Sequence, residues 1–396
     1  MDCQKINNSK IAITLMFFST AIQAVAGYAR DASMVFKLIL GLLCWISVFL
    51  SIKQIKPFFN KLGNLKAVYI AIAILICMSI IQSLLFGVAY VGNKYLVLFG
   101  NMYGALNIIC FFFISSILST SSFKYLRNIT VAYTFMSVFL LNYNYSVTIE
   151  SYFLIFPLTY AMLFVPYVNF YHRIIIIIGM CLSVFAFIGG GRQAIIFWMF
   201  NFFAYVAYKL LNKRAVFVCS IIAMVLPWIL IWYSLHVGAS IFEILSDSMT
   251  STDDGLNTDT RTFLYMEVFS DFSSQSLFTR LFGKGAIAYY DSDFFMTNER
   301  FGVEIPILEW MLQAGILYVA LFTLICICAI FRLYRSGNNK LCKIASVLIA
   351  SYYFNCFISN LNGCNLSIMA FWFMIYLSNN RQFCRYDDKK WKILLA

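Results

Sequence analysis

Long apolar runs separated by short polar connections dominate the chain. The runs cover 11–29, 33–52, 67–87, 96–118, 128–142, 152–168, 174–190, 194–212, 215–236, 305–331, 344–359 and 365–378. Most approach the roughly 20 residues that carry a helix across the hydrocarbon core of a bilayer, and 128–142, 344–359 and 365–378 are the shortest. The pattern predicts an all-α polytopic membrane protein with about 12 transmembrane helices. No internal repeat or low-complexity linker divides it, so residues 1–396 are expected to form a single membrane domain. The first run has a signal-peptide look, with Lys5 and Lys10 ahead of Ile11–Gly27. No small-residue cleavage site precedes Arg30-Asp31 and another apolar run follows at once, so an uncleaved first helix is expected.

One connection is long. Residues 237–303 lie between the ninth and tenth runs and carry ten acidic residues against Arg261, Arg280, Lys284 and Arg300. Within this loop Tyr265, Val268, Phe269 and Phe272 recur at helical spacing, with Glu267 and Ser270 on the other side, which predicts an amphipathic helix near the membrane surface. Gly283-Lys284-Gly285 then predicts a turn. Connections of this length in compact proteins are usually functional.

Composition supports the membrane reading. Hydrophobic residues make up 62% of the chain and charged ones 12%, about half the share of an average soluble domain. The net charge of +12 would point to nucleic acid in a soluble protein, but here the basic residues sit mostly at the ends of apolar runs, so no nucleic-acid partner is expected. With both termini in the cytoplasm, 21 of the 29 basic residues fall inside, whereas of the 17 acids only Asp2, Asp387 and Asp388 do. That partition follows the positive-inside rule and places the loop 237–303 on the extracytoplasmic side of the membrane. The 12 cysteines lie mostly within apolar runs and read as small core hydrophobes.

Candidate chemistry resides in charges that orientation leaves unexplained. Arg192 follows three glycines in Gly189-Gly190-Gly191-Arg192-Gln193, a break between two runs too close for an ordinary loop. Glycines there let backbone approach a ligand closely, and the guanidinium fork matches phosphate geometry. A tight turn whose arginine snorkels to headgroups is the competing reading. Arg261 and Arg280 in the outer loop are candidates for the same anion, or for pairing with Asp259, Glu267 or Asp271. Glu304 and Glu309 flank the start of the tenth run, where a carboxylate can take a proton from an attacking hydroxyl; interfacial placement is the plain alternative. With His172 on the cytoplasmic side and His236 ending the ninth run, a metal site or a histidine triad has little to build on. Asp253-Asp254-Gly255 reads as a polar turn rather than a calcium loop.

These features together resemble the O-antigen polymerase and O-antigen ligase superfamily of bacterial envelope glycosyltransferases. The resemblance rests on the many helices, Gly-Gly-Gly-Arg192 before a helix, the late outer loop from Arg261 to Leu281-Phe282-Gly283-Lys284-Gly285, and Glu304 to Tyr318 with Gln313-Ala314-Gly315-Ile316. It implies a glycosyltransferase with a lipid-pyrophosphate-linked donor and no cofactor, neither metal nor nucleotide sugar. The donor would be an oligosaccharide on undecaprenyl pyrophosphate, bound through Arg192, Arg261 and Arg280, with Glu304 and Glu309 as the catalytic candidates. Membrane lipid and a chain-length regulator protein are the other candidate partners. Ligases of this kind usually carry a histidine near the end of the outer loop; Phe301-Gly302-Val303-Glu304 has none, which favours a polymerase of lipopolysaccharide or related repeat units. The loop pattern of arginine–glycine pairs eleven apart described for polymerases is absent: Phe203, Phe272 and Asp291 stand eleven after Arg192, Arg261 and Arg280, and Gly41, eleven after Arg30, falls inside the second run. The alternatives are the ligase, and a flippase or transporter of the same lipid-linked sugars. The few charges deep in the runs weigh against a transport pathway.

Overall fold

Where the structure describes them, the apolar runs are mostly helical, and several of the helices keep apolar outward surfaces. The computed structural model describes residues 10–15, scattered positions from 39 to 60, and residues 62–86, 120–140, 161–183, 192–237, 262–293, 296–303, 305–358 and 366–395. These residues are mostly helical. The helices are α1 (Lys66–Phe86), α2 (Thr120–Leu140), α3 (Phe170–Ser183), α4 (Arg192–Leu210) and α5 (Lys213–Val237). The long connection after α5 holds α6 (Thr262–Ser274), α7 (Leu277–Phe282) and a hairpin of β1 (Tyr289–Ser292) and β2 (Thr297–Phe301). Then follow α8 (Pro306–Ser336), α9 (Lys340–Asn355), α10 (Leu366–Asn379), α11 (Arg381–Arg385) and α12 (Asp388–Leu395).

Among the described residues, three helices are long and apolar enough to cross a membrane, within α1, α5 and α8. Ile70, Ile74, Ile81 and Leu85 on α1, Ile222, Ile229 and Trp232 on α5, and Ile316, Leu324, Ile327 and Phe331 on α8 all face outward. A surface of that kind is costly in water and matched to lipid tails. The run at 96–118 and the residues between 238 and 261 lie outside the described residues.

The core is organised around α9, which packs against α4, α5, α8 and α10. It is buried on all sides, as an apolar helix without a polar face must be. Ala345, Ser346, Ala350 and Ser351 let its neighbours come close. Asn339 caps its start, with the side-chain oxygen accepting from Cys342 N at 2.8 Å. Tyr353 of α9 ties three helices together: its hydroxyl accepts from Trp228 Nε1 of α5 at 2.8 Å and pairs with Thr323 Oγ1 of α8 at 2.8 Å.

Two elements differ from the reading of the apolar runs. Helix α2 starts at Thr120, eight residues before the run at 128–142, so Lys124 and Arg127 belong to a helix rather than to a loop. The reason is packing: Phe123 is fully buried, 4.1 Å from the Phe373 ring and 5.3 Å from those of Phe383 and Trp391. The other is the antiparallel hairpin, a β element in an otherwise helical chain, with Tyr289 opposite Phe301 and Tyr290 opposite Arg300.

Candidate functional site

The long connection between α5 and α8 is anchored into a break in α8. The amphipathic helix expected around Tyr265 is α6: Tyr265, Val268 and Phe272 are buried, and the Tyr265 hydroxyl donates to the Phe357 carbonyl at 2.5 Å. Helix α6 packs on α5, α8 and β1. Ser276 then caps α7, accepting from Thr279 N at 3.2 Å, and α7 ends at Gly283 with φ +84°. The expected turn at Gly283-Lys284-Gly285 is present.

Helix α8 is interrupted at Gly315, where φ is 80° and ψ 174°. Such a break removes the i+4 N–H partners of the preceding carbonyls, and at this depth those carbonyls need new donors. The glycine turn supplies them. Lys284 N donates to Leu312 O at 2.6 Å and Gly285 N to Gln313 O at 3.2 Å. Ser79 Oγ of α1 also donates to Gln313 O, at 2.8 Å. The turn is tied back to α1 by Ala286 N to Ser79 O at 3.0 Å and Ile287 N to Ser83 Oγ at 2.9 Å. Side-chain volume at either glycine would prevent this approach. A Cβ at Gly315 would overlap the Leu281 carbonyl, and one at Gly283 would overlap that of Gln313.

The charged groups around the junction are largely committed. Lys284 pairs with Asp271 at 2.6 Å, the side chains being 14% and 9% exposed, and also donates to the Tyr289 carbonyl at 3.0 Å. Glu267 accepts from Ser292 Oγ at 2.8 Å, joining α6 to the hairpin. Glu309 is 2% exposed and accepts from Gln313 Nε2 at 3.1 Å, while the same amide donates to the Ala286 carbonyl at 3.2 Å. Arg280, on the last turn of α7, is exposed.

Of the residues singled out from the sequence, Arg280 and Glu309 therefore lie on the two helices that meet at the junction. Arg192 begins α4, which packs against α9 and α3; its side chain lies outside the described residues, as do Arg261 and Glu304 altogether. Lys284, one of the four bases of the 237–303 connection, is taken up by Asp271. The sequence reading missed Ser79 and Ser83, whose four-residue spacing within an apolar run was the available signal of a polar stripe facing inward. The arrangement offers a rigid, glycine-clamped ledge with a guanidinium at its edge, suited to contact an anion. Comparison with family models, with curated proteins and with solved structures returns no match to this chain.

Proposed function

We propose that the protein polymerises undecaprenyl-pyrophosphate-linked oligosaccharide repeat units at the outer face of the bacterial inner membrane, as an O-antigen or related surface polysaccharide polymerase. The observation that carries this reading is the docking of the Leu277–Gly285 segment into the break at Gly315. The two stretches that touch there are the two late ones that resemble the superfamily, and their contact leaves Arg280 exposed beside them. A polymerase of this class has an acceptor hydroxyl attack the anomeric carbon of the donor. The bond from that carbon to the pyrophosphate oxygen breaks, and undecaprenyl pyrophosphate departs. Arg192, Arg261 and Arg280 neutralise the charge that grows on the leaving group. Of the two carboxylates, Glu309 is buried and committed to Gln313, which leaves Glu304, two residues ahead of Pro306 in the sequence, to accept the hydroxyl proton.

The break in α8 also suits a transporter, since discontinuous helices expose backbone groups to a substrate at mid-membrane depth. Here the freed carbonyls of Leu312 and Gln313 are occupied by Lys284 N, Gly285 N and Ser79 Oγ, so they serve a structural joint rather than a pathway. The enzyme reading is preferred on that ground. Deleting the gene and resolving lipopolysaccharide on gels tests it. Loss of polymerase leaves core bearing one repeat unit; bare core with polymer retained on the lipid carrier would instead identify a ligase and overturn the proposal.

A further inference from the structure

At the other end of the bundle the arginines and the lysines separate. The last turn of α8, the end of α10, helix α11 and Asn60, Leu62 and Gly63 before α1 line a cavity of about 920 Å³. Along α8 it lies 17 residues from the Gly315 break, about 25 Å at the rise of a helix, and the charge distribution assigns this end to the cytoplasm. The cavity is lined by Arg332, Arg335, Arg381 and Arg385, with Asn338 and Asn380 among the neutral donors, and, among the described residues, by no Asp or Glu. Orientation alone calls for positive charge without choosing its kind. Yet the five lysines of the same cytoplasmic segments, Lys340, Lys343, Lys389, Lys390 and Lys392, all stay out of this cavity, whereas all four arginines line it. Arg332 and Arg335 are three apart on α8, and Arg381 and Arg385 four apart on α11, so each pair shares a helix face.

Of these four guanidinium groups, the protein engages that of Arg332. Arg332 is bound to the Asn379 side chain and donates to the Leu62 carbonyl at 3.4 Å, a capping role between α10 and the lead-in to α1. Arg335, Arg381 and Arg385 make no hydrogen bond or ion pair among the described residues and are exposed. The nearby carboxylates are engaged elsewhere. Asp387 accepts from Lys390 N at 2.8 Å, and Asp388 from the Tyr167 hydroxyl at 2.6 Å and Lys340 N at 2.8 Å.

We propose that this cavity binds a phosphoryl group through Arg335, Arg381 and Arg385. Planar guanidinium forks give phosphate oxygens paired hydrogen bonds that a lysine cannot, which accounts for arginine rather than lysine at the described lining positions of α8 and α11. The group is carried either by an anionic phospholipid of the inner leaflet or by a soluble phosphate compound. The proposal does not depend on the outer-face chemistry and stands or falls separately from it.

The test measures binding to the purified full-length protein of two probes, dioleoylphosphatidylglycerol in phosphatidylcholine nanodiscs and inorganic pyrophosphate in solution. Arg381→Gln/Arg385→Gln is compared with Lys389→Gln/Lys390→Gln, which removes the same charge outside the cavity, and with the charge-conserving Arg381→Lys/Arg385→Lys. Both arginine variants should weaken the bound probe about ten-fold or more, while the lysine control stays within about two-fold of wild type. Arg332 is left intact because it caps helices. Preference for phosphatidylglycerol identifies a lipid headgroup, and preference for pyrophosphate a soluble ligand. Equal weakening in the lysine control, full binding by the charge-conserving variant, or no binding of either probe to wild type overturns the proposal.

Discussion

Replacing Gly315 with alanine tests the joint between the outer connection and α8. The backbone at 315 has φ 80° and ψ 174°, a conformation that costs another residue about 1–3 kcal/mol. The new Cβ would overlap the Leu281 carbonyl and stand 2.5 Å from Phe282 N, whereas ordinary contact begins at 3.4 Å. Helix α7 must therefore withdraw by about 1 Å, which stretches the 2.6 Å bond from Lys284 N to Leu312 O past bonding range, and the 3.2 Å bond from Gly285 N with it. Each buried group left unpaired costs about 1–3 kcal/mol. Taking the lower end of all three contributions, Gly315→Ala loses about 3 kcal/mol. The control is Gly63→Ala, where φ is also positive, at 57°, but nothing lies within 4 Å, so strain alone operates at about 1–2 kcal/mol. At about 2 °C per kcal/mol for a chain of this size, thermal unfolding in detergent, followed by gel filtration, should fall by about 6 °C or more for Gly315→Ala and about 2–4 °C for the control. Gly283→Ala strikes the same joint, so combining it with Gly315→Ala should cost less than the two separately. Equal melting of Gly315→Ala and Gly63→Ala, or full additivity with Gly283→Ala, would refute the reasoning.

Other variants address the charges. Arg192→Ala and Arg192→Lys should both abolish long polymer at normal membrane abundance, a loss of roughly 10²–10³ in rate, because a fork and not mere charge is required; wild-type polymer from Arg192→Lys would mean that the residue only snorkels. Asp271→Asn strands the largely buried Lys284 and should cost about 3–5 kcal/mol, with the Asp271→Asn/Lys284→Met pair recovering part of it; no recovery on detergent melting would deny the ion pair a role of its own. Single-cysteine probes on a cysteine-free background, both at exposed sites, should report opposite sides: Ser274 labelled from outside and Asn338 protected. The reverse pattern would invert the topology.

The three membrane-length helices were legible because an apolar run long enough for a bilayer has few other fates, and α6 was legible because Tyr265, Val268 and Phe272 repeat at helical spacing. The break at Gly315 was not. A lone glycine in an apolar run reads as an ordinary feature of a membrane helix, and its reason, the backbone of Leu281 and Phe282 pressed against it, is remote in sequence. Ser79 and Ser83 were overlooked likewise, since their partners Gln313 and Ile287 come from other segments. The hairpin is short and polar, and its turn lacks an Asn-Gly pair, with Met296 itself taking a positive φ of 51°. For the candidate site, sequence identified Arg280 and Glu309 but not their unlike surroundings, one exposed and one 2% exposed; burial is a property of neighbours. Arg332, Arg335, Arg381 and Arg385 each fit the orientation rule individually, which hid their convergence.

Reconstitution addresses the central claim most directly. Purified protein in liposomes is given synthetic undecaprenyl-pyrophosphate-linked repeat units, and both glycan length and released undecaprenyl pyrophosphate are measured. The polymerase reading expects a ladder of glycans with one undecaprenyl pyrophosphate released for each new glycosidic bond. Transfer of the lipid-linked unit between leaflets, with no ladder and no released carrier, would contradict it and identify a transporter.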